Sequence, residues 1–293
     1  MALEAVELLE RVPPGHELAM AYGNVSQRRM VVDDADAAAV WGRRALELAR
    51  RLDDTEALVY ALTNLGAAEF QASPDAGRRT LERALALAQR HGLEEYAGRA
   101  FLQLALCPTH KRRLGPADGY LEAGLAYCGE RGLDTWVLHL LALRARLELA
   151  LGRWDAAADS AALVLHDPRS APVARSWALT TRGLVRARRG DAEASDPLEQ
   201  AHTLVRSTGE LERIGLVAAA RAEAAWLLGH DATVKQVTDE ALSLALQRRL
   251  PWYAGELAYW RWQAGVRDEL PADATAEPYR LSMAGDAVRA AEQ

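Results

Sequence analysis

Three arginines recur at one position of a longer pattern: Arg144, Arg182 and Arg221, spaced 38 and 39 residues apart. A guanidinium is a planar fork of N–H donors matched to carboxylates and phosphates. If the segments carrying these arginines stack, their cations form a column, and Arg186 and Arg261 add to it one helical turn on. Such a column suits an acidic protein or peptide partner, or nucleotide phosphates. The plainer reading is that the guanidiniums emerge from grooves between helices and pair with Glu148 or Glu223. The second constellation is aromatic. Trp252, Tyr253, Tyr259, Trp260, Trp262 and Tyr279 make up a third of the chain's aromatic residues. At helical spacing Trp252, Tyr259 and Trp262 share a face while Trp260 points elsewhere. The set reads either as the core of a buried penultimate helix or as an apolar docking surface through which copies of the chain self-associate.

Other chemistry is not found. There is no GxxxxGK[ST], and the only lysines are Lys111 and Lys235, so a phosphate-binding P-loop has no candidate. No GxGxxG follows a strand pattern, and none of the seven histidines stands in an HExxH. His91, His166 and His230 fall at turns or helix ends, where an imidazole suits the helix dipole. His139, on an apolar face, reads as a satisfied interhelical histidine. Asp33, Asp34 and Asp36 lack the Gly and Glu of a calcium loop and read as helix entry. Asn24-Val25-Ser26 is a formal glycosylation sequon inside a predicted helix. An antiparallel hairpin could bring Cys107 and Cys128 together, but free buried thiols are the simpler expectation. There is no DDxxD and no His/Glu cluster, so neither cofactor, metal site nor catalytic set is expected.

The elements that must position these residues are helices. Of 293 residues about a fifth are alanine, and Leu, Arg and Glu are abundant, all strong helix formers. The formal charge is −6 with no long basic run, which argues against direct nucleic-acid binding. The start, MALEAVELLERVPP, lacks the basic and apolar regions of a signal peptide, and no apolar run reaches membrane-spanning length. A cytoplasmic protein is the expectation.

One short pattern keeps returning: Ala-Leu-Glu-Leu-Ala-Arg-Arg from Ala45, Ala-Leu-Ala-Leu-Ala-Gln-Arg from Ala84, and Gly-Leu-Ala-Tyr-Cys-Gly-Glu from Gly124, with weaker copies near Ala161, Ala201 and Ala241. A period near 40 signals a repeat array. Each unit holds two helical segments. In one, Leu58, Leu62 and Leu65 lie at helical spacing, then Ser73-Pro74 breaks the chain, then Leu81, Leu85 and Ala88 form a stripe. Ser73 is placed to cap the second helix and Gly92 to end it. Pro116 opens a helix running to Gly132. Gly152, Gly190, Gly229 and Gly265 each end the first helix of a pair, with Asp155, Asp191 and Asp231 opening the next. Seven positions before those glycines stand the small residues Ala145, Gly183, Ala222 and Ala258, which admit close helix approach, with large Leu141 and Leu179 four positions earlier. After a short leading helix at 3–11, about seven hairpins run from His16 to 293, the last incomplete, as a single repeat domain.

The segment LALGRWDAAADSA (149–161), with its small residue, glycine, aromatic and alanine in order, resembles the tetratricopeptide repeat. The period exceeds the usual 34, and Arg144, Arg182 and Arg221 stand where that motif has Leu, as Leu65 does here. These departures are similar to the longer repeats of bacterial LuxR-type regulators with a signal-transducing ATPase core, the maltose-regulon activator class. PWYAGELAYWRWQAG (251–265), Trp41 to Gly66 and Glu122 to Trp136 carry that likeness further. The resemblance implies an all-α, right-handed superhelical solenoid (an α/α superhelix) acting as the sensor or protein-binding arm of a transcription regulator. In that family a nucleotide-binding module precedes the region and a helix-turn-helix follows it, so a fragment or a stand-alone version is expected. A small-molecule effector-binding domain is the alternative, and a helical enzyme a third.

Overall fold

A computed structural model of the chain describes residues 2–32, 34–110, 114–271, 273–286 and 290. Asp33, Lys111 and the closing 291–293 lie outside the described residues. The described residues are all-α and hold no strand. The helices are α1 (Ala2–Leu9), α2 (His16–Val31), α3 (Ala35–Leu52), α4 (Thr55–Ala72), α5 (Pro74–Arg90), α6 (Glu94–His110), α7 (Leu114–Glu130) and α8 (Asp134–Ala150). They continue as α9 (Trp154–His166), α10 (Pro172–Arg188), α11 (Ser195–Val205), α12 (Leu211–Leu227), α13 (Asp231–Gln247), α14 (Pro251–Gln263) and α15 (Glu277–Met283). A 3-10 turn, Ala192–Ala194, leads into α11.

The chain forms two compact units, Met1–Leu151 and Gly152–Gln293, where the repeat pattern gave no reason to seek a boundary. The division falls between α8 and α9, the two segments in which the tetratricopeptide likeness is strongest. In the first unit consecutive helices pack on one another, and α2, α4, α6 and α8 also pack side by side. In the second unit α10, α12 and α14 do the same.

Burial separates two kinds of helix. α4, α6, α10 and α12 are buried over most of their length; α4 buries even Thr63 and Asn64. The helices that follow them bury a single stripe. In α5 it is Gly77, Leu81, Ala84 and Ala88, and in α7 Ala117, Leu121, Gly124 and Cys128. The same steps of four, three and four recur at Ala38, Gly42, Ala45 and Ala49 of α3 and at Val234, Thr238, Ala241 and Ala245 of α13. In α9 they are Ala157, Ala161 and Val164, so the equivalent of Gly124 is Val164 and not Ala161. The sequence pattern therefore shifts by three residues there.

Small residues in these stripes bring backbones together. A Cβ on Gly77 would meet the Phe70 backbone nitrogen at 2.4 Å and the Gly66 carbonyl oxygen at 2.6 Å, so α4 and α5 cross in backbone contact. Gly183 instead leaves room for a side chain, that of Leu198, and Ala145, Ala222 and Ala258 are buried as their spacing predicts.

The ends follow the expected chemistry. Gly92, Gly132, Gly152, Gly190, Gly229 and Gly265 all adopt the left-handed conformation. Beyond α5 the Leu93 N–H reaches back to the Ala88 carbonyl at 2.9 Å, and beyond α12 the His230 N–H reaches Ala225 at 2.8 Å, satisfying orphan carbonyls. Two such turns use other residues: Asp53 (φ 53°) after α3 and Arg249 (φ 56°) after α13. Ser73 is the residue before α5, but its hydroxyl makes no capping bond. The side-chain caps are Asp34, Asp54 and Asp191.

Candidate functional site

The arginines that share a repeat position have different surroundings. Arg144, in the first unit, pairs with Glu148 one turn on at 3.7 Å. In the second unit Arg221 binds Glu199 of α11 at 2.7 Å, and Arg261 binds Asp239 of α13 at 2.6 Å. Each acid lies 22 residues before its arginine. At that distance before Arg182 stands Ser160, and Arg182 is exposed with no ion pair among the described residues. Arg186 pairs locally with Asp191 and Glu193 at 3.5 and 3.8 Å. Glu223 pairs with Arg188 at 2.6 Å, not with Arg221. Arg261 is interior, 4% exposed, and also donates to Thr238 Oγ1 and to Asp268. Of these arginines Arg144, Arg186, Arg221 and Arg261 are salt-bridged, and Arg182 has no ion pair among the described residues.

All of the aromatic set but Tyr253, which packs against Gly215 of α12, forms one half-buried cluster centred on Tyr259. Its ring lies 5.2 Å from Trp260, 6.3 Å from Trp262 in a stacked arrangement, and 6.4 Å from Tyr279. Trp252 meets Tyr279 edge-on at 6.1 Å, and Trp260 turns inward to Trp226 at 5.8 Å. Gly255 makes room for Tyr279, whose ring carbon lies 2.6 Å from the place of its absent Cβ.

A polar network that the sequence reading passed over links α2, α4 and α6 in the first unit. Asn64, fully buried, donates its amide to the Gly23 carbonyl at 3.0 Å and accepts from the Arg99 guanidinium at 2.6 Å. Arg99 lies over the Tyr60 ring, 4.7 Å from its centroid. The Tyr60 hydroxyl lies 2.7 Å from both the Asn24 and Gln27 amide oxygen positions. A phenol has one proton, so one of those amides turns its NH₂ to the phenol oxygen. Gly23 permits this approach, because a Cβ there would meet the Tyr60 ring at 2.5 Å. Tyr96 continues the row edge-on to Tyr60 at 6.1 Å, its hydroxyl donating to Glu56 at 2.7 Å. Burial and that carboxylate push the Tyr96 phenol well above its ordinary pKa. Asn24 is exposed and Gln27, Tyr96 and Arg99 are half-buried, so the network opens onto solvent. The signal in the sequence was Asn64 itself, an amide in the middle of the mostly apolar helix α4.

The remaining candidates stay apart from this network. His139 is half-buried, its ring nitrogen 2.7 Å from the Thr135 carbonyl. Ser26 of the sequon is buried and donates to the Ala38 carbonyl. Cys107 ends α6, whereas Cys128 lies near Glu95 at its start, so the hairpin separates them. Burial pushes the Cys128 thiol up to about 11. Among the described residues no three His, Cys, Asp or Glu side chains lie close enough to hold a metal ion, and no helix is long and apolar enough to cross a membrane. No family model matches the sequence, and no curated protein matches it.

Proposed function

We propose that the chain is a non-catalytic interaction scaffold: a right-handed solenoid of seven tetratricopeptide-like hairpins serving as the sensor arm of a bacterial transcription regulator. Its partner is a protein or peptide, taken on the face that α2, α4 and α6 share. The observation that carries the reading is the Asn64–Arg99–Tyr60 network. The buried stripes of α5 and α7 are apolar, with their interhelical polar bonds at partly exposed positions, whereas Asn64 is fully buried. Buried polar groups are costly unless bonded, and here they are bonded to one another while exposing amide and guanidinium donors at the edge. Amides suit the peptide groups of an extended chain, and Arg99 suits an acidic side chain. Exposed Arg182 offers a second contact for an acidic partner in the other unit.

The test is a peptide array of acidic 15-residue sequences and their amidated, uncharged counterparts, probed with the full chain and with an Asn24→Ala/Arg99→Gln variant of verified fold. The reading expects acidic peptides to be retained by the parent and lost by the variant. Equal retention of charged and uncharged peptides, or by both proteins, would overturn it. The alternative, a domain that binds a small effector, is favoured by a cavity in the second unit.

A further inference from the structure

Three hairpins seat an aliphatic side chain of the second helix on a small residue of the first. The place of the absent Cβ of Gly66 lies 2.9 Å from Leu81 Cγ, and that of Gly183 lies 2.5 Å from Leu198 Cγ. Val237 packs into the core that holds Ala222. In all three the aliphatic residue stands fifteen places after the small one. Fifteen places after Ala258 stands Asp273, exposed on the non-helical segment between α14 and α15. Beside Ala258 there is instead a cavity of about 270 Å³, walled by Trp262, Val266, Leu270, Pro271 and Met283. Its size lies at the lower end of small-molecule sites, roughly 300–1,000 Å³.

One polar side chain of this lining is both buried and unbonded. Thr275 is 8% exposed, and its hydroxyl makes no hydrogen bond among the described residues. A buried hydroxyl without a partner is costly, and a ligand oxygen would supply one. The charged groups of the lining are each engaged already. Asp268 accepts from the buried Arg261 guanidinium at 3.1 Å. Arg267 donates to the Trp262 and Val266 carbonyls at 2.7 and 3.3 Å, and Arg280 has an interaction of its own.

These features select the ligand's chemistry. An ion of either sign would give up its hydration to enter apolar walls that hold no free countercharge. The Trp262 ring is covered by Arg267, 5.3 Å from its centroid, and by stacked Tyr259, so an aromatic ligand finds no open ring face. An aliphatic body gains from contact with Val266, Leu270, Pro271 and Met283 as Leu81 and Leu198 gain in their own hairpins. A single oxygen on that body answers the Thr275 hydroxyl.

We propose that this cavity binds a small, neutral, cyclic or branched aliphatic molecule with one carbonyl oxygen, its body beside Ala258 and its oxygen accepting from Thr275. The site lies in the second unit and takes no part in the acidic-peptide reading of the first, so either can fail alone. Calorimetric titration of the full chain with cyclohexanone and camphor tests it, with cyclohexanecarboxylate and bornylamine as charged counterparts of similar shape. At least one ketone should bind with a Kd below ~1 mM, and the charged probes at least ~10-fold more weakly. Thr275→Val keeps the shape and removes the hydroxyl, and should weaken the ketone ~5-fold. Ala258→Met puts a side chain into the cavity and should abolish binding. The ketone should also raise the melting temperature of the parent and not that of Ala258→Met. Should Ala258→Met unfold, Thr275→Val and the charged probes on the parent decide. Failure of both ketones to bind below ~10 mM, a charged probe that binds as well as its ketone, or undiminished binding by Thr275→Val would each overturn the proposal.

Discussion

Replacing Gly77 by alanine should destabilise the first unit, although the same change usually strengthens a helix. Gly77 lies inside α5, where alanine is intrinsically favoured by about 1 kcal/mol. The new Cβ would sit 2.4 Å from the Phe70 nitrogen, 2.6 Å from its Cα and 2.6 Å from the Gly66 carbonyl oxygen. All three obstacles are backbone, so no rotamer change relieves them. Restoring ordinary contact requires α4 and α5 to part by roughly 1 Å, which loosens the fully buried Leu81 beneath them, and overpacking of this kind costs about 1–3 kcal/mol. The upper end applies to a backbone clash, leaving a net loss of about 2 kcal/mol once the helix gain is subtracted. Gly119 of α7 is the control: it is helical with nothing within 4 Å of its missing Cβ, so Gly119→Ala should gain up to ~1 kcal/mol. Urea unfolding followed by circular dichroism measures both, and amide exchange in α4 and α5 locates the effect. If Gly77→Ala proves as stable as Gly119→Ala, the backbone crossing of α4 and α5 is wrong.

Arg249 holds a left-handed conformation that an ordinary residue adopts at a cost of roughly 1–2 kcal/mol, so Arg249→Gly should raise the melting temperature; Asp53→Gly should raise it less, since Asp tolerates that region, and an unchanged Arg249→Gly would count against the turn. His16 and Asp54 face each other at 2.6 Å. The bond to Asp54 raises the His16 pKa above its ordinary value. Burial works to raise Asp54, but its bonds to the Ala57 N–H and to His16 outweigh it and lower the carboxyl overall. The His16 contribution is therefore complete below about pH 6.5 and is lost as pH rises through its folded pKa; the Asp54 contribution is complete above about pH 4 and is lost as pH falls through its folded value. Stability differences between the parent and His16→Gln should peak between those limits, and a flat difference from pH 4 to 8 would refute the pair. Cys128, with its thiol pushed up to about 11, should resist iodoacetamide at pH 8 until denaturant is added, and rapid labelling of the native chain would contradict its burial.

Helix ends were legible because their chemistry is local. A left-handed residue after a helix favours glycine whatever the tertiary context, so Gly92, Gly132 and Gly229 could be placed from type and spacing alone. The alanine stripes were legible as a period, though Val164 in place of a small residue displaced the reading by three. Roles that depend on what a side chain meets across a gap were not. Arg144, Arg182 and Arg221 occupy one repeat position, yet their partners differ: Arg144 pairs with Glu148 on its own helix, Arg221 with Glu199 on the preceding one, and Ser160, 22 places before Arg182, cannot neutralise a cation. Asn64 was overlooked because one amide barely alters an apolar helix pattern, while its partners Gly23 and Arg99 lie 41 and 35 residues away. The division at Leu151 leaves no compositional mark, since both sides use the same helical grammar.

The stripes on the outer helices have a consequence for how such a chain can change over generations. α5 and α7 each commit four of seventeen positions to the interior, and three of each four are small residues or cysteine. Of the other thirteen, a few such as Leu85 and Tyr120 are half-buried against the core, and the rest answer to solubility and helix propensity, which many residues satisfy equally. Two chains could preserve every one of these contacts and still share little recognisable text. Descent in such a fold is recorded in spacing more than in letters, and the spacing that matters is four, three and four.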